Sequence, residues 1–302
     1  LSTFIILKVK GVKRVGEVLF YDLWERTRSY DIETIFPSWS KGEVVVVFSP
    51  HDDDALLGAG YLLQVVQKFD AQVYVVIACN GCGGYTTFDR KADIVEIRRK
   101  ETIKAYSKIG VSAEHIIRLD FPDFSLRPNI GWKMPWGGFG TFEKTLKILR
   151  SLQTTRLLLP NPYREHVDHE ATYLMGAWDG PQAGDPIMPD YGKLDYPIKS
   201  YLEYSVWGKF SPFHALSAGQ NPVISANKVI VVPQTFENQV IEALSEYKSQ
   251  AEIISDLVKQ RLERKLENNY FVELYLSFEA RPKFDFKPYL ELIKNINESN
   301  VG

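Results

Sequence analysis

Pro50-His51-Asp52-Asp53-Asp54 sets one imidazole ahead of three carboxylates, and Asn161-Pro162-Tyr163-Arg164-Glu165-His166-Val167-Asp168-His169 sets two imidazoles three residues apart with an aspartate between them. A His and an Asp from the first segment, joined by a His from the second, would supply two neutral imidazoles and one carboxylate. That is the donor set of a catalytic zinc site, which keeps net positive charge on the ion and lowers the pKa of a bound water to about 7. Such a hydroxide nucleophile further needs a base for the second proton and a donor for a tetrahedral oxyanion, and spare carboxylates and a spare His are available here. The plain structural reading of the three aspartates is a helix N-cap with first-turn acids, favourable beside the helix dipole, and it is sufficient for Asp52. His115, at a strand start, and His214, in a Ser-Pro-Phe-His-Ala loop, stand alone and read as non-catalytic.

These segments need strands to bring them together. Glu43 to Ser49 is a continuous β-branched run closed by Pro50, the pattern of a strand buried on both faces. Helical spacing follows over Ala55 to Phe69, and Gln72 to Ala78 is a second buried strand, giving a βαβ unit. The alternation continues with a helix over Lys91 to Ile109, a strand at His115 to Phe121, a helix over Thr141 to Leu152, a strand at Arg156 to Pro160 and a helix over Val167 to Trp178. It predicts an α/β, Rossmann-like, mostly parallel sheet with helices on both faces. In such sheets ligands bind outside the carboxyl ends of the strands, where both His/Asp segments fall. Beyond Gly180 come a Pro/Gly-rich loop to Gly192, strands at Lys199 to Val206 and Lys228 to Val232, and charged helical patterns from Thr235 to Asn268. Leu1 to Lys10 reads as a strand rather than a signal peptide, because its lysines follow the apolar run.

The strand leading into Pro50-His51-Asp52-Asp53-Asp54-Ala55, then Leu56-Leu57 and Gly58-Ala59-Gly60, resembles the LmbE-like or PIG-L-like zinc-dependent N-deacetylases, whose strand runs into Pro/Ala-His-Pro-Asp-Asp-Glu, two residues and Gly-x-Gly. The resemblance implies that His51, Asp54 and His169 hold one Zn²⁺ per chain, with Fe²⁺ or Co²⁺ as other ions for such a set. It implies that Asp53 is the general base and that His166, in the family's His-x-Asp-His motif, protonates the leaving amine or steadies the oxyanion while Asp168 orients it. Arg98, in an Arg-x-x-Glu helix, and Asp123, in a Pro-Asp pair after the third strand, map onto substrate-contacting positions, and Arg164 joins them as a candidate. Tyr247-Lys248-Ser249-Gln250 resembles a late Tyr-x-Ser-Gln segment. The family pattern has Pro at Asp52 and Glu at Ala55, so a register using Asp52 and Asp53 stays open. The implied activity is removal of an N-acetyl or small N-acyl group from an amino sugar or its conjugate. The alternatives are a zinc amidase for a non-sugar or thiol-sugar amide and a non-catalytic sugar-binding relative.

The chain reads as one deacetylase domain over 1–302, with a motif-bearing core at about 42–250, an N-terminal extension 1–41 and a C-terminal strand/helix segment 251–302. Its 36 basic and 38 acidic residues give −2 at pH 7, no field of the kind that gathers nucleic acid, and no apolar run has the length of a transmembrane helix. Two cysteines, Cys79 and Cys82, are too few for a disulfide framework, so a cytoplasmic setting is expected. Their spacing also raises thiol redox chemistry, against a plain tight turn. Trp132 and Trp136, in a Gly-rich stretch, are read either as a flap over a sugar ring or as core cover, and Gly180 to Gly192 as a second lid. The expected partner is a small amino-sugar substrate, with a homo-oligomer compatible with the family.

Overall fold

Apolar runs that can be buried on both faces become the middle strands of one nine-stranded sheet in a computed structural model that describes residues 17–221 and 223–299. In chain order the strands are β1 (Leu19–Asp22), β2 (Thr27–Ser29), β3 (Val44–Ser49), β4 (Gln72–Cys79), β5 (Ile116–Phe121), β6 (Arg156–Pro160), β7 (Ser200–Tyr204), β8 (Lys228–Pro233) and β9 (Tyr270–Phe278). The helices are α1 (Asp54–Lys68), α2 (Ile94–Ser107), α3 (Thr141–Ser151), α4 (Val167–Leu174), α5 (Gly180–Ala183), α6 (Pro212–Ser217), α7 (Gln234–Leu244), α8 (Ala251–Arg261) and α9 (Lys287–Ser299).

The sheet order is β2-β1-β8-β9-β7-β6-β3-β4-β5. From β7 to β5 every pairing is parallel, and from β2 to β7 every pairing is antiparallel. The parallel half is the expected α/β architecture, with helices on both faces; the antiparallel half contains the strand expected at Lys228 to Val232 as β8, flanked by β1 and by β9, which falls in the expected C-terminal strand/helix segment. β3 lies between β4 and β6, with Val47 opposite both Val75 and Leu158. The chain leaves β3 outward through β4 and β5 and returns on the other side through β6. That reversal opens a crevice beyond the carboxyl ends of β3 and β6.

Alternation along β3 feeds two cores. Val45 and Val47 pack with α1 and α7, while Val46 and Phe48 pack with Leu149 of α3 and Ala171 of α4. α1 is broken at Ala59 (φ −135°, ψ 15°). Glu273 of β9 accepts from the freed N–H groups of Tyr61 and Leu62, each at 3.0 Å, and Arg261 and Arg264 donate to the Leu57 carbonyl at 2.6 and 2.9 Å. The turn carrying Asp54 is thereby set apart from the rest of the helix. Gly58 is required there: a Cβ would lie 2.3 Å from Tyr204 Cδ2 and 2.9 Å from the Ser205 carbonyl.

The charged helical patterns expected from Thr235 to Asn268 are α7 and α8. Two expectations change: the helix over Val167 to Trp178 ends as α4 and passes into a π-helical turn at Met175–Asp179, and the loop from Gly180 to Gly192 is no lid. The buried Arg150 guanidinium donates to the carbonyls of Gln182, Ala183, Asp185, Ile187, Met188 and Gly192, which pins that loop, while Gly180 packs on Leu157 and Tyr201 near the amino ends of β6 and β7. The strand expected at Leu1 to Lys10 lies outside the described residues. Among the described residues no helix is long and apolar enough to cross a membrane.

The π-helical turn leaves Oδ2 of Asp179 sealed from solvent and without a hydrogen-bond partner, and burial pushes this carboxyl up to about 7. A carboxyl raised in the folded state favours folding while it is protonated, and that contribution is lost as pH climbs from about 4 to about 7. Asp179→Asn is therefore expected to raise stability at pH 8 by about 1–2 kcal/mol and to change little at pH 4. Urea denaturation at the two pH values checks this; an equal effect at both would remove the ionisation argument.

Candidate active site

β3 ends at Ser49, and the turn that follows brings His51 and Asp54 to the crevice; β6 ends at Pro160, and the first turn of α4 brings His169 to the same place. Asp54 Oδ2 is their meeting point. It accepts from the His51 backbone N–H at 2.8 Å and lies 3.1 Å from His51 Nδ1 and 3.2 Å from His169 Nε2. Donor atoms of the three residues all fall within 4.8 Å of one another. His169 Nδ1 lies 2.8 Å from Glu165 Oε2, so a proton on Nδ1 is donated there and the neutral ring keeps a bare lone pair on Nε2. That Nε2 is buried and has no hydrogen-bond partner. A lone pair held beside a carboxylate oxygen and a second imidazole fits a divalent cation by geometry and donor chemistry.

Burial would push Asp54 up, but the charge of His169 beside it and the contact with His51 hold it well below the usual carboxylate range. Burial would lower the imidazoles, yet Asp168 and Asp54 raise His51 to about 10, and Asp54 and Glu165 raise His169 to about 9. A cation at these donors competes with the protons, so binding releases them.

Asp53 occupies the N-cap position of α1 but makes no capping hydrogen bond. Its carboxylate is partly exposed and accepts from Arg98 Nη2 at 3.1 Å; burial and then the neighbouring Asp54 charge raise it, with Arg98 pulling the other way. Asp52 turns inward. Arg98 Nε lies 3.0 Å from its Oδ2, Thr102 donates to Oδ1 at 2.7 Å, and Arg118 also pairs with Oδ1. Burial alone would raise Asp52, but the two guanidiniums bring it below its ordinary value. The geometry thus gathers Asp54 with the histidines and places Asp52 beneath them, away from the register that uses Asp52 and Asp53.

His166 caps α4, its Nδ1 accepting from the Asp168 N–H at 3.1 Å. The ring stands edge-on to His51 at 4.8 Å and 4.6 Å from Phe124. Burial and then the His51 charge lower its pKa, so the neutral form prevails at pH 7. The expected carboxylate support is not what holds it, since Asp168 Oδ2 is 3.6 Å from His166 Nδ1. Asp168 instead accepts from Phe124 N at 2.7 Å and reaches His51 Nε2 at 3.3 Å, a position that orients His51.

The substrate-contact candidates fall differently from the expectation. The Arg98 side chain is 6% exposed and its guanidinium is spent on Asp52 and Asp53. Asp123 accepts from Gly81 N and Gly83 N, each at 2.8 Å, and shapes that loop. Arg164 is exposed at the rim, over the Tyr163 ring. Trp132 and Trp136 are exposed rather than core cover. Cys79 and Cys82 are free thiols. Cys79 lies in a second close group with His51 and Asp168, but burial and Asp168 raise its thiol, the reverse of what a redox nucleophile needs. Sequence reading passed over Glu165 as a support for His169 and Trp207, whose ring lies 5.1 Å from that of His169. The i, i+4 spacing of Glu165 and His169 was the available signal.

Residues 46–177, which carry both halves of this site, match the family described as PIG-L: GlcNAc-PI de-N-acetylase. Among solved structures, the N,N'-diacetylchitobiose deacetylase from Pyrococcus horikoshii superposes with a TM-score of 0.59 at 17% identity, over 79% of this chain and 84% of that one. The conserved protein TT1542 from Thermus thermophilus gives 0.57 at 19% identity, over 80% and 97%. GalB, the 4-carboxy-2-hydroxymuconate hydratase from Pseudomonas putida KT2440, gives 0.58 at 15% identity, over 80% and 99%. At such identities the likeness is one of fold. No curated protein matches the sequence significantly.

Proposed function

We propose, from the premise that residues 46–177 form a PIG-L family domain, that this chain is a divalent-metal-dependent amidohydrolase removing an acetyl or similar small acyl group from the nitrogen of an amino sugar or its conjugate. The observation that carries the reading is the convergence of His51, Asp54 and His169 in the crevice beyond β3 and β6, with Asp53 and His166 beside them. A fold shared with a hydratase does not choose the reaction; the family match over the site-bearing segment favours deacetylation, and a deacetylase among the structural neighbours is consistent with it.

His51, Asp54 and His169 would hold the ion, which when bound supplies Lewis acidity and a water of lowered pKa. Asp53, partly exposed, takes the proton from the attacking water. His166, neutral at pH 7 with Nδ1 occupied by the Asp168 N–H, keeps its proton on Nε2 and donates a hydrogen bond to the oxyanion, while Asp53 passes the proton it took from water to the departing amine. Asp168 holds His51. Zinc is the expected ion.

Metal analysis of the purified chain together with amine release from N-acetylglucosamine and its β-1,4-linked dimer tests this. The expected result is about one zinc per chain and amine release that a chelator abolishes. Absence of both metal and turnover would replace the enzyme by a sugar-binding relative. Zinc bound without amine release from either sugar would overturn the amino-sugar assignment and leave another amide.

A further inference from the structure

The Glu165 side chain is fully enclosed and accepts at both oxygens. Oε2 takes the bond from His169 Nδ1 at 2.8 Å. Oε1 takes four: Ser205 Oγ at 2.7 Å and the backbone N–H groups of Val206 (3.0 Å), Trp207 (3.1 Å) and Gly208 (2.7 Å). Consecutive N–H groups converging on one anion form a nest, and here the anion is a side chain of the metal-site segment rather than a ligand from solution. The segment so held follows β7 and carries Trp207, whose ring faces that of His169 and is 46% exposed. The same segment lines a cavity of about 490 Å³ together with Leu57, Arg261 and Arg264. Val206 is buried in the core and Asn161 Nδ2 donates to the Lys209 carbonyl at 2.9 Å, so what the Glu165 carboxylate adds is the link between this loop and His169.

We infer that Glu165 is a positioning residue that sets the third metal ligand and the Trp207 wall together, so that the ion site and the surface beside it are held by one side chain. The inference rests on the metal-site reading above but not on the identity of the substrate. A carboxylate is what the arrangement demands, because both oxygens must accept. Glutamine accepts at one end and presents an NH₂ at the other. In Glu165→Gln the four loop donors retain the oxygen, and the NH₂ then meets His169 Nδ1–H, which forces the ring to another tautomer or orientation.

The test is zinc affinity, measured by chelator competition with the metal alone, for wild type, Glu165→Gln and Ser205→Ala. Loss of a partner behind a ligating histidine typically costs about 10–100-fold in metal affinity, and that is the expected fall for Glu165→Gln. Ser205→Ala removes one of the bonds to Glu165 and is expected to stay within about 3-fold of wild type. Zinc affinity of folded Glu165→Gln equal to wild type would overturn the inference. If that variant does not fold, ¹⁵N spectra of the zinc-loaded wild type decide: His169 must be protonated at Nδ1 and ligated through Nε2, and the opposite tautomer would also overturn it. Zinc bound by the wild type and weakened as expected in Glu165→Gln, with no amine release from the wild type, would count against the deacetylase reading and leave this inference standing.

Discussion

Replacing Asp53 by Asn is expected to leave zinc content at the wild-type level and to lower amine release about 10²- to 10⁴-fold. The separation follows from what the two neighbouring carboxylates touch. Asp54 meets both imidazoles, whereas Asp53 makes no capping bond, contacts Arg98 through Oδ1 and stays partly exposed. Asparagine is nearly isosteric and can still accept from Arg98, so the turn and the ligand triad should persist while the ability to take a proton is lost. Steady-state kinetics with metal analysis on the same samples checks it. Zinc retained with a wild-type rate would put the base elsewhere. Asp52 is then no candidate, since it is completely buried and locked to Arg98, Arg118 and Thr102, and His166 would become the group to replace next.

The parallel half of the sheet and the ligand triad were legible because both leave local marks. β3, β4 and β6 are uninterrupted apolar runs, and the groups they position follow immediately in sequence. The Gly58-Ala59-Gly60 spacing was legible as a motif, and its cause is packing: Gly58 sits against Tyr204, and a Cβ on Gly60 would come 2.7 Å from Val240 Cγ2. β1, β2 and β9 were obscured because their stabilising partners are distant in sequence. β9 in particular carries Glu273 at its centre, a residue that argues against a buried strand until Tyr61, Leu62 and Arg264 are brought to it by the fold. Two weakly matching segments prove to be halves of one structure. Glu101 accepts from the N–H and hydroxyl of Ser249, Tyr247 donates to the Asp52 carbonyl, and Gln250 donates to the Gly84 carbonyl. The Arg-x-x-Glu and Tyr-x-Ser-Gln patterns therefore build the floor beneath His51 and Asp53. Glu165 was not legible as a tether, because its acceptor role is defined by backbone groups some forty residues away that carry no side-chain signature.

That floor turns on Arg98, and Arg98→Met is expected to destabilise the fold by about 3–5 kcal/mol. The guanidinium is almost fully enclosed between Asp52 and Asp53, and the loop above it has glycine where a side chain would collide: a Cβ on Gly84 would lie 2.4 Å from Nη1, and one on Gly81 2.8 Å from Cδ. Methionine fills part of the volume but leaves Asp53 without its cation and Asp52 with Arg118 alone. Uncompensated buried charge is the costly term, more so than the lost bonds themselves. If that is the cause, neutralising the stranded partner should recover part of the loss, so Asp52→Asn combined with Arg98→Met should be less unstable than the two single effects added together. Urea denaturation of the four proteins gives the coupling directly. Additive effects, or an Arg98→Met loss below about 1 kcal/mol, would mean that Arg98 is not the charge that holds the aspartates, and its role would return to the substrate side of the crevice.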